Sequence, residues 1–336
     1  MTRMQSPLET RPLKTDDLGA VVAIDARISA RRRTAFFEQR MKAALAEPKD
    51  FIYIACELDG VLQGYLQARL LEGEYGTSEK VAALDNIGVE PGKQGLGIGR
   101  TLMEAFKAIL RHKGVKEIET QADWRNSGFL KFLSAAGFQL APRQVLEREV
   151  SHIDTAGKPA PDDPHPVLQS GDKDFSDSNG DETGSLARDI VSCRSLTEED
   201  LPALIHINRK VTGYEHAAYY QRKVNEVLNE SGIRVSMVAE LDGQVAGFIM
   251  ARVDYGEFDR IEPNAVLDSV AVNPGLGHRL IGSALLSQLL VNLTGLRLDT
   301  IRTEVDADHL DVLGFLLKNG FRQSQQLIFS HRLRKL

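Results

Sequence analysis

The sequence has little cysteine and lacks any long apolar run. Its only cysteines, Cys56 and Cys193, lie in apolar, strand-like segments, so a disulfide framework is excluded and a reducing compartment is expected. No stretch approaches the roughly 18 apolar residues of a membrane span, and no apolar run follows the first residues as it does in a secretory signal. These absences predict a cytoplasmic protein with no membrane partner.

The sequence also lacks an excess of positively charged residues. The 41 Lys and Arg residues are outnumbered by 47 Asp and Glu residues, which gives a formal net charge of −6. A nucleic-acid binder needs a basic face to displace counterions from phosphate, so no nucleic-acid partner is expected. The eight histidines are scattered, with no Cys or His pairs at metal-ligand spacing, so no metal is expected either.

What the sequence does contain is a repeat. The segment 11–138 matches the segment 194–321 in a single register without a gap. Self-similarity over such a length indicates two copies of one domain, and a chain of 336 residues suits two domains of common size. Matching pairs include Arg11 with Arg194, Asp17 with Asp200, Glu57 with Glu240, Leu84 with Leu267 and Gly137 with Gly320.

The segment 154–185 separates the two copies. It is rich in Pro, Gly, Ser and Asp and has few large apolar residues, so it buries too little surface to offset the entropy of ordering it. We interpret it as an acidic, flexible linker between an N-terminal domain, 1–153, and a C-terminal domain, 186–336.

The periodicity of the first copy predicts a mixed sheet with helices on both faces. Alternating strand patterns and helical apolar spacing follow one another in the order β-α-α-β-β-β-α-β-α-β, typical of the α/β (α+β) class. Asp59-Gly60 predicts a hairpin turn, because this pair tolerates a positive φ. The final strand of the copy is expected near 144–152.

A glycine-rich segment, Gln94–Arg100, lies between a predicted strand and a predicted helix. Glycines let backbone N–H groups converge on an anion, and the start of the helix adds partial positive charge at the same point. The segment is therefore a candidate phosphate cradle. A tight strand-to-helix connection without a ligand explains the glycines equally well.

The pattern Gln94-x-x-Gly97-x-Gly99, after a Val-x-Pro strand end, resembles the signature of the GNAT acyltransferase superfamily. The resemblance covers about 10–150 and again about 190–336, so a tandem GNAT protein is expected. It implies an acetyl-CoA-dependent N-acetyltransferase that transfers its acyl group directly to an amine-bearing acceptor, a small molecule or a protein. The state of the chain, monomer or homodimer, is left open.

The resemblance also implies which residues hold acetyl-CoA. The strand end is expected to pair with the pantetheine arm, the glycine-rich loop to bind the pyrophosphate, and Asn126 to lie beside the cofactor. The implied binding residues are Ile87, Gly88, Val89, Gln94, Gly95, Leu96, Gly97, Ile98, Gly99, Arg100, Thr101 and Asn126.

An amine is mostly protonated near neutral pH, so the reaction needs a base or a water that a base activates. Asp85, four residues before Val89 on the motif strand, and Glu74, in the loop before that strand, are the candidate catalytic residues because they are expected near the point where the strand separates from its neighbour. Both recur in the second copy, as Asp268 and Glu257. Recurrence fits a catalytic site and equally a carboxylate that stabilises the fold.

The sequence departs from the family pattern in two ways. Many members carry a tyrosine that protonates the leaving thiolate, and that position holds Leu133 here and Leu316 in the second copy. In the second copy Leu280 also replaces Gly97, and His309 replaces Asn126. The second copy is therefore expected to be degenerate, and a non-catalytic acyl-CoA sensor or interaction module is the alternative function.

Overall fold

The chain folds into two compact units. In the computed structural model of the protein, the residues described are 7–72, 80–150, 187–188, 190–230, 233–254, 264–276 and 280–333. Unit 1 comprises Met1–Val145, Asp254–Pro263 and Ser324–Leu336, and unit 2 comprises Leu146–Val253 and Asn264–Gln323. The predicted linker at 154–185 lies outside the described residues, and its flexibility stays a prediction.

The first repeat contributes four helices and seven strands within its described part. The helices are α1 (Leu18–Ser29), α2 (Thr34–Ala46), α3 (Ile98–His112) and α4 (Ser127–Ala135). The strands are β1 (Glu9–Pro12), β2 (Phe51–Leu58), β3 (Val61–Glu72), β4 (Lys80–Val89), β5 (Glu117–Asp123), β6 (Gln139–Leu140) and β7 (Arg143–Glu149).

The described part of the second repeat has the same order of elements. Its strands are β8 (Ser192–Ser195), β9 (Met237–Leu241), β10 (Gln244–Asp254), β11 (Asn264–Val272), β12 (Thr300–Asp306), β13 (Arg322–Gln323) and β14 (Gln326–Arg332). Its helices are α5 (Leu201–Thr212), α6 (Ala217–Asn225), α7 (Ile281–Gly295) and α8 (Leu310–Lys318). The predicted class, a mixed sheet with helices on both faces in each of two tandem domains, is confirmed.

Each unit is built on one seven-stranded sheet. The sheet of unit 1 has the order β1-β2-β3-β4-β5-β14-β6, and that of unit 2 has the order β13-β7-β12-β11-β10-β9-β8. In the first sheet β4 and β5 are parallel, whereas the other neighbours are antiparallel. The helices α1 and α2 pack on one face and α3 and α4 on the other, so each face of β3 and β4 is buried against helices.

The last long strand of each repeat lies in the sheet of the other repeat. β14 pairs along its full length with β5, from Gln326 opposite Asp123 to Arg332 opposite Glu117. β7 lies between β13 and β12 in the second sheet. The sequence assigned β7 to the N-terminal domain and β14 to the C-terminal domain. In this respect the compact units differ from the sequence repeats.

Both repeats begin with the same polar cluster, formed by Arg11, Asp17 and Glu57 in the first. The Arg11 guanidinium donates to both carboxylate oxygens of Asp17, at 2.6 and 2.8 Å, and to Glu57 at 2.6 and 2.8 Å. The Lys14 N–H also donates to Asp17, at 2.7 Å. The cluster thus links β1 and β2 to the 3-10 turn Thr15–Asp17 that leads into α1.

The hairpins between β2 and β3 and between β9 and β10 follow the predicted turn chemistry. Asp59 and Gly60 have φ of 54° and 72°, and Asp242 and Gly243 have φ of 52° and 75°. Two successive residues in the left-handed region match the twist of antiparallel strands. In the described part of the chain, none of the helices combines the length and apolarity that crossing a membrane requires.

Candidate active site

The strands β4 and β5 separate partway along their length. They pair from Val81 opposite Glu117 to Ala83 opposite Glu119, and no further pairs follow in the described residues. Just beyond, the Thr120 hydroxyl donates to the Leu84 carbonyl at 2.8 Å. The edge of β4 after this point is therefore left without a neighbouring strand, and its backbone groups are available to a ligand.

A bulge in β4 marks the point where the opening begins. Against β3, Gln67 lies opposite Asn86 and Ala68 opposite Leu84, so Asp85 is the extra residue. A bulge increases local twist and re-aims the residues around it. It turns the end of β4, from Asn86 to Val89, away from β5.

The glycine-rich turn follows directly. Gly95 and Gly97 have φ of +82° and +87°, in the left-handed region that favours glycine. Gly97 is the N-cap of α3, and its carbonyl accepts from the Thr101 N–H at 2.9 Å. The N–H groups of the first turn of α3 lack acceptors within the helix and carry its partial positive charge.

These elements border one cavity of about 560 Å³. It extends from the end of β4 across the start of α3 to one side of α4. Its lining comprises Ile28, Ile87, Val89, Gln94, Gly95, Gly97, Ile98, Gly99, Arg100, Met103, Glu104, Asn126, Gly128, Phe129, Phe132, Ala135 and Ala136.

Most of the residues predicted from the sequence to bind acetyl-CoA lie in this lining. Three lie elsewhere: Gly88, Leu96 and Thr101. Gly88 faces the other side of the sheet, where an added Cβ would lie 2.4 Å from Tyr65 Cε1. Leu96 is 48% exposed at the tip of the turn. The structure thus brings the predicted set together around one cavity with these exceptions.

The α4 side of the cavity was missed by sequence reasoning. Phe129 and Phe132 stack with ring centroids 6.2 Å apart and line the cavity with Gly128. Their helical spacing indicates only that both phenylalanines belong to one apolar face of α4. Periodicity marks an apolar face but does not distinguish a packed core from an apolar cavity wall.

Asn126, which is predicted to lie beside the cofactor, is found at the start of α4 in the cavity lining. Its side-chain oxygen accepts from the Phe129 N–H at 3.1 Å, so it caps the helix. Gln94 lies on the opposite side, where its amide donates to the Val89 carbonyl at 3.5 Å. Both amides are thus oriented by the backbone that borders the cavity.

The candidate base Asp85 is held in an ion pair. The Arg69 guanidinium donates to its two carboxylate oxygens at 2.7 and 2.8 Å, and Asp85 is 4% exposed. Asp85 does not belong to the cavity lining. The other candidate, Glu74, lies outside the described residues.

The position that carries a tyrosine in many resembling enzymes is a core position here. Leu133 is 0% exposed, and its counterpart Leu316 is 1% exposed. Among the residues described around the cavity there is no tyrosine, cysteine or histidine. Within the described ranges, no group of three or more His, Cys, Asp or Glu residues could hold a metal ion.

Two positively charged side chains lie at the glycine-rich turn. Arg100 lies in the first turn of α3 and Lys93 just before Gln94. Within the described chain no ion-pair partner is found for either side chain. Together with the start of the helix they make this end of the cavity suited to an anion.

Unit 2 keeps the packing of this region but not the glycine. Leu280 occupies the place of Gly97 as N-cap of α7, with φ of 57°. Gly282 meets Phe315 as Gly99 meets Phe132, so the two helices approach as closely in both units. The preceding residues, 277–279, lie outside the described part. At the N-cap itself, the left-handed backbone conformation is thus kept with leucine in place of glycine.

Comparison with known proteins gives one family for both repeats. A family model described as Acetyltransferase (GNAT) family matches residues 22–138 and 197–321. Serotonin N-acetyltransferase 2, chloroplastic, of Oryza sativa subsp. japonica is 32% identical over 129 residues, which cover 38% of this chain and 60% of the rice protein. Aminoglycoside N(6')-acetyltransferase type 1 of Stenotrophomonas maltophilia is 28% identical over 112 residues, 33% of this chain and 73% of that protein.

Solved structures share the fold over the whole chain. A tandem GNAT protein from the clavulanic acid biosynthesis pathway, solved without AcCoA, has a TM-score of 0.62 and 17% identity, and the match covers 98% of this chain and 99% of that one. A GCN5-related N-acetyltransferase from Sphaerobacter thermophilus has a TM-score of 0.60 and 14% identity, with 98% and 97% covered. At these identities the likeness concerns the fold alone.

Proposed function

Because the chain belongs to the acetyltransferase (GNAT) family, we propose that unit 1 binds acetyl-CoA and transfers its acetyl group directly to a primary amine. The observation that carries the proposal is the opening between β4 and β5, which leads from the bulge at Asp85 to the glycine-lined start of α3. The serotonin and aminoglycoside enzymes among the relatives are named for small amine-bearing acceptors.

The backbone and charges of unit 1 support a position for each part of acetyl-CoA within this proposal. The pyrophosphate binds the N–H groups that begin α3, where Arg100 and Lys93 add positive charge. The pantetheine arm pairs with the free edge of β4, from Val89 towards Ile87. The apolar arm and the adenosine portion bury against Phe129 and Phe132 on the α4 side.

The chemistry requires few side chains. The amine nitrogen attacks the thioester carbonyl, a backbone N–H of β4 stabilises the developing oxyanion, and the carbon–sulfur bond breaks to release the thiolate. The proton of the amine leaves through water, and solvent protonates the thiolate, because the tyrosine position is the buried Leu133. Asp85, through its pair with Arg69, positions the bulge from which that N–H projects.

We further propose that unit 2 does not bind acetyl-CoA. A leucine side chain on the left-handed turn at Leu280 occupies the space that Gly97 leaves open in unit 1. The site of unit 1 therefore acts alone, and unit 2 supplies structure.

The test is turnover by the purified full chain. Acetyl-CoA is mixed with a panel of primary amines, free thiol is measured, and the product is examined by mass spectrometry for an added acetyl group on nitrogen. We expect stoichiometric thiol release and N-acetyl product. Acetyl-CoA binding without turnover of any amine would instead support a non-catalytic sensor.

A further inference from the structure

A buried carboxamide lies beside the place where the acetyl group would end. Gln67 is on β3, directly opposite Asn86 at the bulge of β4. It is 1% exposed, and among the described residues neither its amide nitrogen nor its amide oxygen has a hydrogen-bond partner. A buried polar group without a partner is unfavourable, so such a group points to a ligand or a bound water.

The face of the sheet on which Gln67 lies follows from its neighbours. Leu66 and Ala68 belong to the core that packs on α3, whereas Tyr65 belongs to the core that packs on α1 and α2. Because side chains alternate along a strand, Gln67 lies on the α1–α2 face. The cavity proposed for acetyl-CoA is on the α3–α4 side. An amine approaching from the α1–α2 face would therefore meet Gln67.

The position of the thioester follows from the extent of the opening. A pantetheine arm that starts at the N-terminus of α3 runs back along β4 towards the point where β4 and β5 separate. That point lies just C-terminal to Ala83 and Leu84. That point is next to the bulge, and Gln67 is the cross-strand neighbour there.

Three carboxylates described on this face, those of Asp25, Asp85 and Glu119, are paired with arginines. Asp25 receives hydrogen bonds from Arg33 at 2.5 and 3.0 Å, and both are buried. Asp85 is paired with Arg69, and Glu119 of β5 with Arg143. An acceptor with several charges would find no free counter-charge among these groups.

We propose that Gln67 selects the acceptor, and that the acceptor is a primary amine with neutral hydroxyl groups on neighbouring carbons, as in an amino sugar. This inference rests on the proposed function. A carboxamide both donates and accepts, as a hydroxyl does, so the two groups satisfy each other. A site whose polar group is left unpaired discriminates against an analogue that lacks the hydroxyl.

The second repeat provides the test variant. Met250 occupies the position of Gln67 in unit 2 and is 1% exposed, so this fold accommodates a methionine there. Gln67→Met removes the carboxamide at nearly constant volume and is expected to fold at least as stably as the wild type. Gln67→Leu is the second variant, should the thioether disturb folding.

The experiment compares glucosamine with cyclohexylamine, which has the same ring size without hydroxyls, and with the polycation spermidine. The wild type is expected to show the highest kcat/KM with glucosamine. In Gln67→Met, kcat/KM for glucosamine should fall about tenfold, as for the loss of one neutral hydrogen bond, while cyclohexylamine turnover and the Kd of acetyl-CoA are unchanged.

Three results would overturn the inference while the proposed function stands. The first is an unchanged ratio of the kcat/KM values for glucosamine and cyclohexylamine in Gln67→Met, as expected if a bound water satisfies the Gln67 carboxamide. The second is an equal loss of kcat/KM with both amines. The third is the highest activity of the wild type with spermidine. If the wild type acetylates none of the amines, the proposed function fails first, and the inference with it.

Discussion

Gly88 is the point at which β4 passes closest to Tyr65. A Cβ at this position would lie 2.4 Å from Tyr65 Cε1 and 2.8 Å from Cζ. Tyr65 cannot move freely, because it is 1% exposed and its hydroxyl donates to Asp25 at 3.2 Å. Glycine is therefore required here for packing.

Gly88→Ala is predicted to lower the free energy of unfolding by about 1–3 kcal/mol, as overpacking does. It should also weaken acetyl-CoA binding, because β4 must shift. Urea unfolding and calorimetric titration check both effects. Gly92→Ala is the control, since nothing lies within 4 Å of a Cβ there. Equal stability of the two variants would contradict the packing argument.

The role of Asp85, as a positioning residue or as a general base, can be tested by substitution. If it positions the bulge, Asp85→Asn should keep a hydrogen bond to Arg69 and lower kcat by tenfold or less, without moving the pH profile. A general base would instead contribute about 10²–10⁴-fold. Steady-state rates from pH 6 to 10 separate the two. Loss of the acidic limb in Asp85→Asn, where the rate of the wild type rises as the base is deprotonated, would restore Asp85 as the base.

The sequence predicted the glycine-rich turn but not the contacts of its neighbours. Gln94, Gly97 and Gly99 could be singled out because they lie in one short segment whose spacing resembles the family signature. The pair between Asp85 and Arg69 joins two strands, and its geometry depends on a bulge that leaves no mark in the local pattern. The pattern of residue types in a sequence indicates that a carboxylate lies near the site. It does not indicate which residues that carboxylate contacts.

At the scale of elements, the polar cluster of Arg11, Asp17 and Glu57 lies at the 3-10 turn that leads into α1. The pKa of Asp17 lies below its ordinary value because Arg11 donates hydrogen bonds to its carboxylate and the Lys14 N–H donates another. Unit 2 has the same arrangement. Burial opposes ionisation of Asp200, but hydrogen bonds from Arg194 and Thr197 outweigh it and lower its pKa.

Asp17→Asn is predicted to destabilise the protein by about 1–2 kcal/mol at pH 7, as the loss of charge-assisted hydrogen bonds from Arg11 and the Lys14 N–H does. A carboxyl whose folded-state pKa is depressed stabilises the fold above its unfolded pKa, about 3.9. That contribution is lost as pH falls through the folded pKa. The difference between wild type and variant should therefore be constant from pH 7 to 5 and shrink below about pH 4.

Urea unfolding across this pH range measures the effect. Asp16→Asn is the matched control, because it removes the same charge from the adjacent, exposed residue. If both variants lose the same stability at pH 7, the cluster around Arg11 does not stabilise the start of α1.

At the scale of the whole molecule, the exchanged strands could not be predicted. β7 and β14 occupy equivalent places in the two repeats and have similar alternation of apolar and polar residues. By its alternation of apolar and polar residues, each of these two strands could pair with the edge of β5 or with the edge of β12. Period-2 alternation fixes which face of a strand is buried, but not which of two equivalent neighbours it pairs with.

The exchange makes unit 1 depend on the C-terminal end of the chain. β14 pairs along β5 at seven positions, and Leu333 beyond it is buried in the core beside α3. A chain that stops after Gln323 is predicted to lose acetyl-CoA binding, although every cavity-lining residue is retained. Unit 2 keeps its strands and should still unfold cooperatively.

Calorimetric titration and thermal unfolding of this truncated chain test the dependence. A chain that stops after Leu333 is the control and should bind acetyl-CoA as the wild type does. Undiminished affinity after removal of β14 would show that unit 1 is complete without it.

We propose one acetyl-CoA site per chain, in unit 1. Gly97→Leu tests this most directly, because Leu280 adopts the same left-handed N-cap conformation with a leucine side chain. A Cβ at Gly97 meets no protein atom closer than Leu8 Cδ1 at 4.0 Å. The substitution should therefore cost about 1–2 kcal/mol of backbone strain and fill space that the ligand needs.

The measurement is calorimetric titration of acetyl-CoA into the folded wild type and the folded Gly97→Leu variant. We predict one site per chain in the wild type and no detectable binding in the variant. Binding that survives the substitution, or two equivalent sites in the wild type, would place acetyl-CoA in unit 2 and contradict the account.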